Sequence, residues 1–377
     1  MSTARRWEID ALRGLMLVLM TVTHLPTRWA SPLSQPFGYV SAAEGFVLLS
    51  AYMVGLVYAQ KRRRVGEAGM KKALLDRAWK IYLCQAALLV FLFSIVAAIG
   101  VTRHQPAVTD MLNFYFEQPL TAFVSGMLLV YNPPLLDILP LYIFFLVLTP
   151  LVMVHDTERG WRVILGFSLA LWFGAQFGLG PFLYRTLFTS FGVKVPVSDT
   201  GAFGALAWQL LWVVGLWMGS RQAAAQPIAG RFPPWMVAVA VGYALACLVA
   251  RHAMGQLPAA DASTLGALFD KWDLGSLRLI NLLALIMVVM HFGPRWIARL
   301  NGVPALELLG QASLPVFCAH LVATLLALAI VGAAVPERPV WVDGALMGVT
   351  FAALYAVAWV SLWPSRRRAS SRHARPA

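Results

Sequence analysis

Ionisable side chains inside apolar runs are the first candidates for chemistry. A charge at membrane depth is costly and is kept where it is used or paired. In the run WEIDALRGLMLVLMTVTHL, Arg13 and His24 stand eleven positions apart, close to three full helical turns. Both therefore lie on one face of a helix, roughly 16 Å apart along its axis. An imidazole in such a run suits general-base or nucleophilic work on a hydroxyl. Glu44 lies in the next apolar run, YVSAAEGFVLLSAY. If that run returns antiparallel, Glu44 falls level with His24, where a carboxylate orients an imidazole and raises its basicity. Asp137 follows Pro133-Pro134 at the head of another run and is a second carboxylate candidate. Each has a structural alternative. His24 can be a hydrogen-bonded core histidine, Glu44 one half of a helix-helix ion pair, Asp137 a helix cap, and Asp10 with Arg13 an i,i+3 pair.

Further polar residues sort by depth. Gln209 (beside Trp208), Arg278 and Asn281 fall towards the same end as His24, and His320 sits mid-depth in SLPVFCAHL. These four are candidates for holding an acceptor or the transferred group. Towards the other end lie Arg13, Arg77, Lys80 and the KRRR run from Lys61 to Arg64. A basic vestibule there suits a phosphorylated molecule, although basic loops also serve topogenesis alone. His291 reads as interfacial. His24, His291 and His320 are expected at different depths, so no metal or haem site is expected.

The elements that position these residues follow from composition. The chain has 377 residues, of which 59% are hydrophobic and 12% charged, with a mean hydropathy of +0.70. That charge content is about half the norm for a soluble domain. It excludes an ordinary soluble enzyme, a disordered chain and a nucleic-acid-binding domain, despite the net charge of +13. A bilayer core takes roughly 20 apolar residues per helix. Ten spans are expected on that rule: 12–30, 38–59, 80–101, 134–154, 161–179, 202–220, 234–251, 277–293, 312–332 and 341–363. The apolar stretch 119–132 is too short and reads as an interfacial piece. The fold class is thus all-α and polytopic. Lys and Arg are roughly three times as frequent in the loops on one side, which places both termini in the cytoplasm. Residues 1–365 form one transmembrane domain, and 366–377 a disordered basic tail at the inner leaflet. Glu8 and Asp10 spoil a secretory leader, so the first run is read as a retained helix. Cys84, Cys247 and Cys318 lie inside apolar runs and read as small buried hydrophobes.

The Arg13–His24 spacing within D-x-x-R-G resembles the first helix of the type-three membrane acyltransferases. The block AEGFVLLSAY from Ala43 to Tyr52, DILPLY at 137–142 and AWQLL at 207–211 look more specifically like OpgC. The segment LGQASLPVFCAHL is similar to the L-G-x-x-S…H region of the superfamily. The resemblance runs over nearly the whole chain. It implies ten helices, an acyltransferase activity, an acyl-CoA co-substrate (succinyl-CoA foremost) and a periplasmic glucan acceptor at a bacterial inner membrane. No permanently bound cofactor and no nucleic-acid partner are implied, and the oligomeric state is left open.

The residues and the resemblance together give an expected arrangement. His24, oriented by Glu44 or Asp137, acts as general base or forms an acyl-histidine. Arg13, Arg77 and Lys80 hold the donor. Arg278 or Gln209 holds the sugar or the acyl carboxylate. The alternatives are a transporter or exporter that uses the same buried charges, an O-acetyltransferase acting on another surface polysaccharide, or a structural membrane subunit.

Overall fold

The apolar runs fold as helices, and no strand occurs among the described residues. The computed structural model describes residues 6–155, 157–188, 190, 192, 194–226, 232–255 and 264–373, with side chains as far as residue 363. Arg5, Arg231, the side chains of the basic tail and residues 374–377 lie outside the described residues.

The main helices are α1 (Trp7–His24), α2 (Ala42–Phe91), α3 (Ile138–Met153), α4 (Glu158–Ala175), α5 (Ala205–Ala223), α6 (Pro234–Met254), α7 (Ser276–Ile297), α8 (Pro304–Gln311), α9 (Ser313–Ile330) and α10 (Val340–His373). The α10 backbone stays helical through residues 366–373, where the sequence reading expects a disordered tail. α2 continues through a π turn at Leu92–Val96 into Ala97–Thr102. The resulting stretch of 61 residues would be about 90 Å long if straight, three times a bilayer core. It is broken at Gly66, whose φ of +76° breaks the helical backbone and suits only glycine. The arms on either side correspond to the second and third expected spans.

Among the described residues, five helices are long and apolar enough to cross a membrane by themselves, and a sixth is gained if Glu158–Ala175 and Leu179–Leu187, bent by 84°, form one span. This is a polytopic membrane protein. Every one of the ten expected runs falls on a helix. However, α1 carries Glu8, Asp10 and Arg13, and α3 has 16 residues, so length and apolarity alone account for fewer than ten spans. The stretch 119–132 contains a nine-residue helix, Pro119–Met127, ended before Pro133-Pro134.

α2 packs along α5 with backbones in contact. The contact is made by a small-residue stripe. Gly55 of α2 lies on the Leu216 backbone, while Gly215 and Gly219 of α5 lie on Leu48, Ala51 and Tyr52. Without a strong hydrophobic drive between helices in lipid, such close approach supplies the packing. A leucine at 219 would collide with the Tyr52 carbonyl and the Leu56 amide, both rigid backbone. Gly219→Leu is therefore expected to destabilise the bundle by about 1–3 kcal/mol or more. The check is a lower thermal-aggregation temperature in detergent than wild type.

The basic run within α2 has a local use. Arg62 donates to the Met153 and Val154 carbonyls at the end of α3, at 2.5 and 3.4 Å, and Arg63 to the Ala223 carbonyl at the end of α5, at 2.7 Å. These are the unsatisfied carbonyls of helix C-termini, which favour a cation. Part of the KRRR run thus caps two helices, while Lys61 faces a cavity described below.

Candidate active site

α1 and α9 run side by side in the same direction, bridged at two levels. At the lower level Arg13 donates to the Ser313 hydroxyl. At the upper level His24 Nδ1 lies 3.1 Å from His320 Nε2, with the rings nearly stacked at 5.4 Å between centroids. The expectation that His24 and His320 sit at different depths is corrected by this contact. The two bridges are eleven residues apart on α1 but seven on α9. The reach of the arginine side chain and the helix tilt absorb the roughly 6 Å difference in rise.

The His24–His320 bond leaves His24 Nε2 as the ring nitrogen without a protein partner among the described residues. His24 borders a cavity of about 400 Å³ shared with Asp137, Asp199, Lys271, Trp272 and Phe203. His320 is fully buried behind it, against the edge of Phe317 at 4.8 Å. The loop that follows His24 is pinned to the start of α10. Arg28 Nε donates to Asp343 at 3.0 Å, and Arg338 Nη1 donates to the Pro26 carbonyl at 2.6 Å.

Glu44 does not orient His24. One of its oxygens accepts from the Ser41 amide at 3.1 Å and from the Ser41 hydroxyl, closing a capping box at the start of α2. The other accepts from Arg278 Nε at 2.5 Å. Glu44 and Arg278 are 0% and 1% exposed, a buried ion pair that ties α2 to α7. Asn281, one turn further along α7, accepts the Tyr39 amide at 3.0 Å. Gln209 is spent on α4, taking the Ser168 hydroxyl at 2.6 Å and donating to the Ser168 carbonyl at 2.7 Å. Arg278, Asn281 and Gln209 thus brace the walls behind the cavity rather than line it. Asp137 does line it, at the N-terminus of α3, and accepts the Ala202 amide at 3.1 Å.

Lys271 also lines this cavity and, like Asp110 and Asp199, is singled out by no motif in the sequence. It lies in the loop before α7, its ammonium 4.5 Å from the Trp272 ring centroid and 5.8 Å from that of Phe203. Burial pulls it below the usual lysine range. The signal available in the sequence was its isolation: a lone lysine beside a tryptophan, in a segment with few other cations.

Arg13, Lys61, Arg77 and Lys80 gather around a second cavity of about 520 Å³ at the opposite end of α1, with Asp76 the carboxylate among them. Arg13, Arg77 and Lys80 thus stand together as expected. Arg77 Nη2 also donates to the Tyr142 hydroxyl at 3.4 Å. Between the two cavities lies a narrow void of about 30 Å³, bordered by Arg13, Phe46, Arg77, Tyr142 and Phe317. Phe46 stacks on Phe317 there at 5.6 Å. Arg13 and Arg77 also border the basic cavity, and Phe317 the histidine cavity. The three cavities thus share lining residues in series from the basic end to the imidazole.

Fold and site together define a helical membrane protein with a histidine pair at one of two polar cavities of different charge. The family model described as OpgC protein matches residues 5–366, nearly the whole chain. The chain belongs to the OpgC family, which carries an acyltransferase role on periplasmic glucans. No curated protein and no solved structure matches the chain.

Proposed function

We propose that the chain is an inner-membrane O-succinyltransferase that takes its acyl group from succinyl-CoA on the cytoplasmic side and places it on a hydroxyl of a periplasmic glucan. In this reading the ten helical runs cross the membrane, and both termini are cytoplasmic. The observation that carries it is His24, held by His320, facing one cavity and joined by a constriction to a separate basic one.

The basic cavity suits the phosphates of coenzyme A, with Arg13, Lys61, Arg77 and Lys80 as their partners. The thioester arm follows the constriction past Phe46 and Phe317. In the histidine cavity, carboxylates and aromatic faces (Asp137, Asp199, Trp272) suit a neutral carbohydrate. For His24 Nε2 to accept a proton, Nδ1 must carry one and donate it to His320 Nε2, which assigns the tautomers by role. The acceptor oxygen then attacks the thioester carbonyl carbon while its proton passes to His24 Nε2. The tetrahedral adduct collapses with loss of the coenzyme A thiolate, and His24 returns the proton to that sulfur. His320 stabilises the transient imidazolium, in the place a carboxylate holds in the hydrolase triads.

The test is reconstitution of the full chain in vesicles, with succinyl-CoA on one face and unmodified glucan on the other. Succinyl esters appearing on the glucan, read by mass spectrometry, support the proposal. Movement of intact solute with no new ester would establish a transporter instead. Donor binding gives a separate prediction. Arg77→Gln with Lys80→Gln is expected to raise KM for the donor roughly tenfold and leave kcat nearly unchanged. Steady-state kinetics checks it, and the difference should shrink at high salt because Lys80 is exposed.

A further inference from the structure

Acyl transfer alone does not require the cation that stands in the histidine cavity. Lys271 is the sole basic side chain besides His24 among the residues lining it. Four other cations near this end of the molecule are engaged. Arg278 is held by Glu44, Arg28 and Arg338 by Asp343, and Arg251 by the Ser31 carbonyl. Lys271 lies against the faces of Trp272 and Phe203; the Glu44 and Asp137 carboxylates favour its charge from a distance, but no carboxylate among the described residues forms an ion pair with it. Aromatic faces compensate an ammonium only in part for lost hydration. An anion entering this cavity therefore has a ready partner.

A neutral carbohydrate brings no anion. An acyl group ending in a carboxylate does. We propose that Lys271 is the specificity-determining residue that binds the terminal carboxylate of the acyl group, so that the protein selects dicarboxylic acyl donors over neutral ones of the same length. This rests on the acyl-transfer reading given above. The carbonyl being attacked sits at His24, and Lys271 holds the far end of the chain within the same cavity. The side chains that the sequence reading assigns to that carboxylate, Arg278 and Gln209, are spent on Glu44 and Ser168. Lys271 also acts as a filter, because without a carboxylate its ammonium stays incompletely paired in the loaded cavity. Selection by an otherwise unpaired polar group is stronger than selection by shape.

The test uses the full chain in vesicles with a glucan acceptor and two donors, succinyl-CoA and butyryl-CoA, whose acyl chains differ in a terminal carboxylate against a methyl group. Wild type is expected to prefer succinyl. Lys271→Met should lower kcat/KM for succinyl roughly 10- to 100-fold while butyryl transfer is kept or improved. Lys271→Arg should retain part of the preference, and Lys271→Gln guards against a folding defect peculiar to the methionine variant. Butyryl transfer by the variants reports their folding directly. Equal loss for both donors, or an unchanged succinyl preference in Lys271→Met, overturns the assignment. So does a wild type that transfers butyryl better than succinyl, although acyl transfer itself then stands. A wild type that transfers neither removes the acyltransferase reading, and Lys271's role with it.

Discussion

Replacing His24 by alanine is expected to lower acyl transfer by roughly 10²–10⁴-fold, the usual contribution of a positioned general base. Protein level and thermal stability should change little, because His24 is only partly buried and borders an open cavity. His320→Gln should give a smaller loss. A glutamine amide can still meet His24 Nδ1, so orientation survives while stabilisation of the imidazolium is weakened. The check is single-turnover transfer to glucan in vesicles by the wild type and each variant. A donor-only incubation separates the two chemical routes. An acyl-histidine releases one coenzyme A per protein with no acceptor present, whereas general-base transfer releases none. Retention of full activity by His24→Ala would remove the imidazole from the mechanism altogether.

The second large effect is structural. Glu44→Ala leaves Arg278, 1% exposed, without its carboxylate. An uncompensated buried charge of this kind costs about 3–5 kcal/mol. It also opens the Ser41 capping box, whose loss adds about 1 kcal/mol. The variant should fail to accumulate, or should melt far below wild type in detergent. Glu44→Gln combined with Arg278→Met should recover much of that loss, since removing both charges of a buried pair is far milder than removing one. Detergent melting curves of the single and double variants check this. A catalytic role for Glu44 predicts the reverse pattern: normal stability with lost activity, and no rescue by the second substitution.

The helical class and the alignment of Arg13 and His24 were legible in the sequence because both follow from local quantities, the length of apolar runs and the helical period. The partner of His24 was not. His320 is 296 residues away, and the pairing depends on which helices become neighbours, which no local pattern records. Glu44 is a different kind of miss. Ser41 and Glu44 have the S-x-x-E spacing of a capping box, so the local use of that carboxylate stood in the sequence. The chemical appeal of a carboxylate beside an imidazole outweighed it. Gln209 and Arg278 were placed at the correct end of the molecule, but their bonds to Ser168 and Glu44 are tertiary and consume the groups expected to face a ligand. The basic cluster of Arg13, Arg77 and Lys80 was legible because its members share a depth, and depth can be counted along a helix.

The pinch at Phe46 and Phe317 has a bioenergetic consequence. Two wet, charged chambers opening at opposite ends of α1 would, if merged, form a water column able to carry protons down an electrochemical gradient. The void between them holds one or two water molecules at most, and a stacked aromatic pair stands beside it. A slender acyl chain can thread such a gap and plug it while passing, whereas hydrated ions cannot cross it at rest. In the acyl-transfer reading, the same contact that would guide the acyl arm thus keeps an energised membrane from being short-circuited.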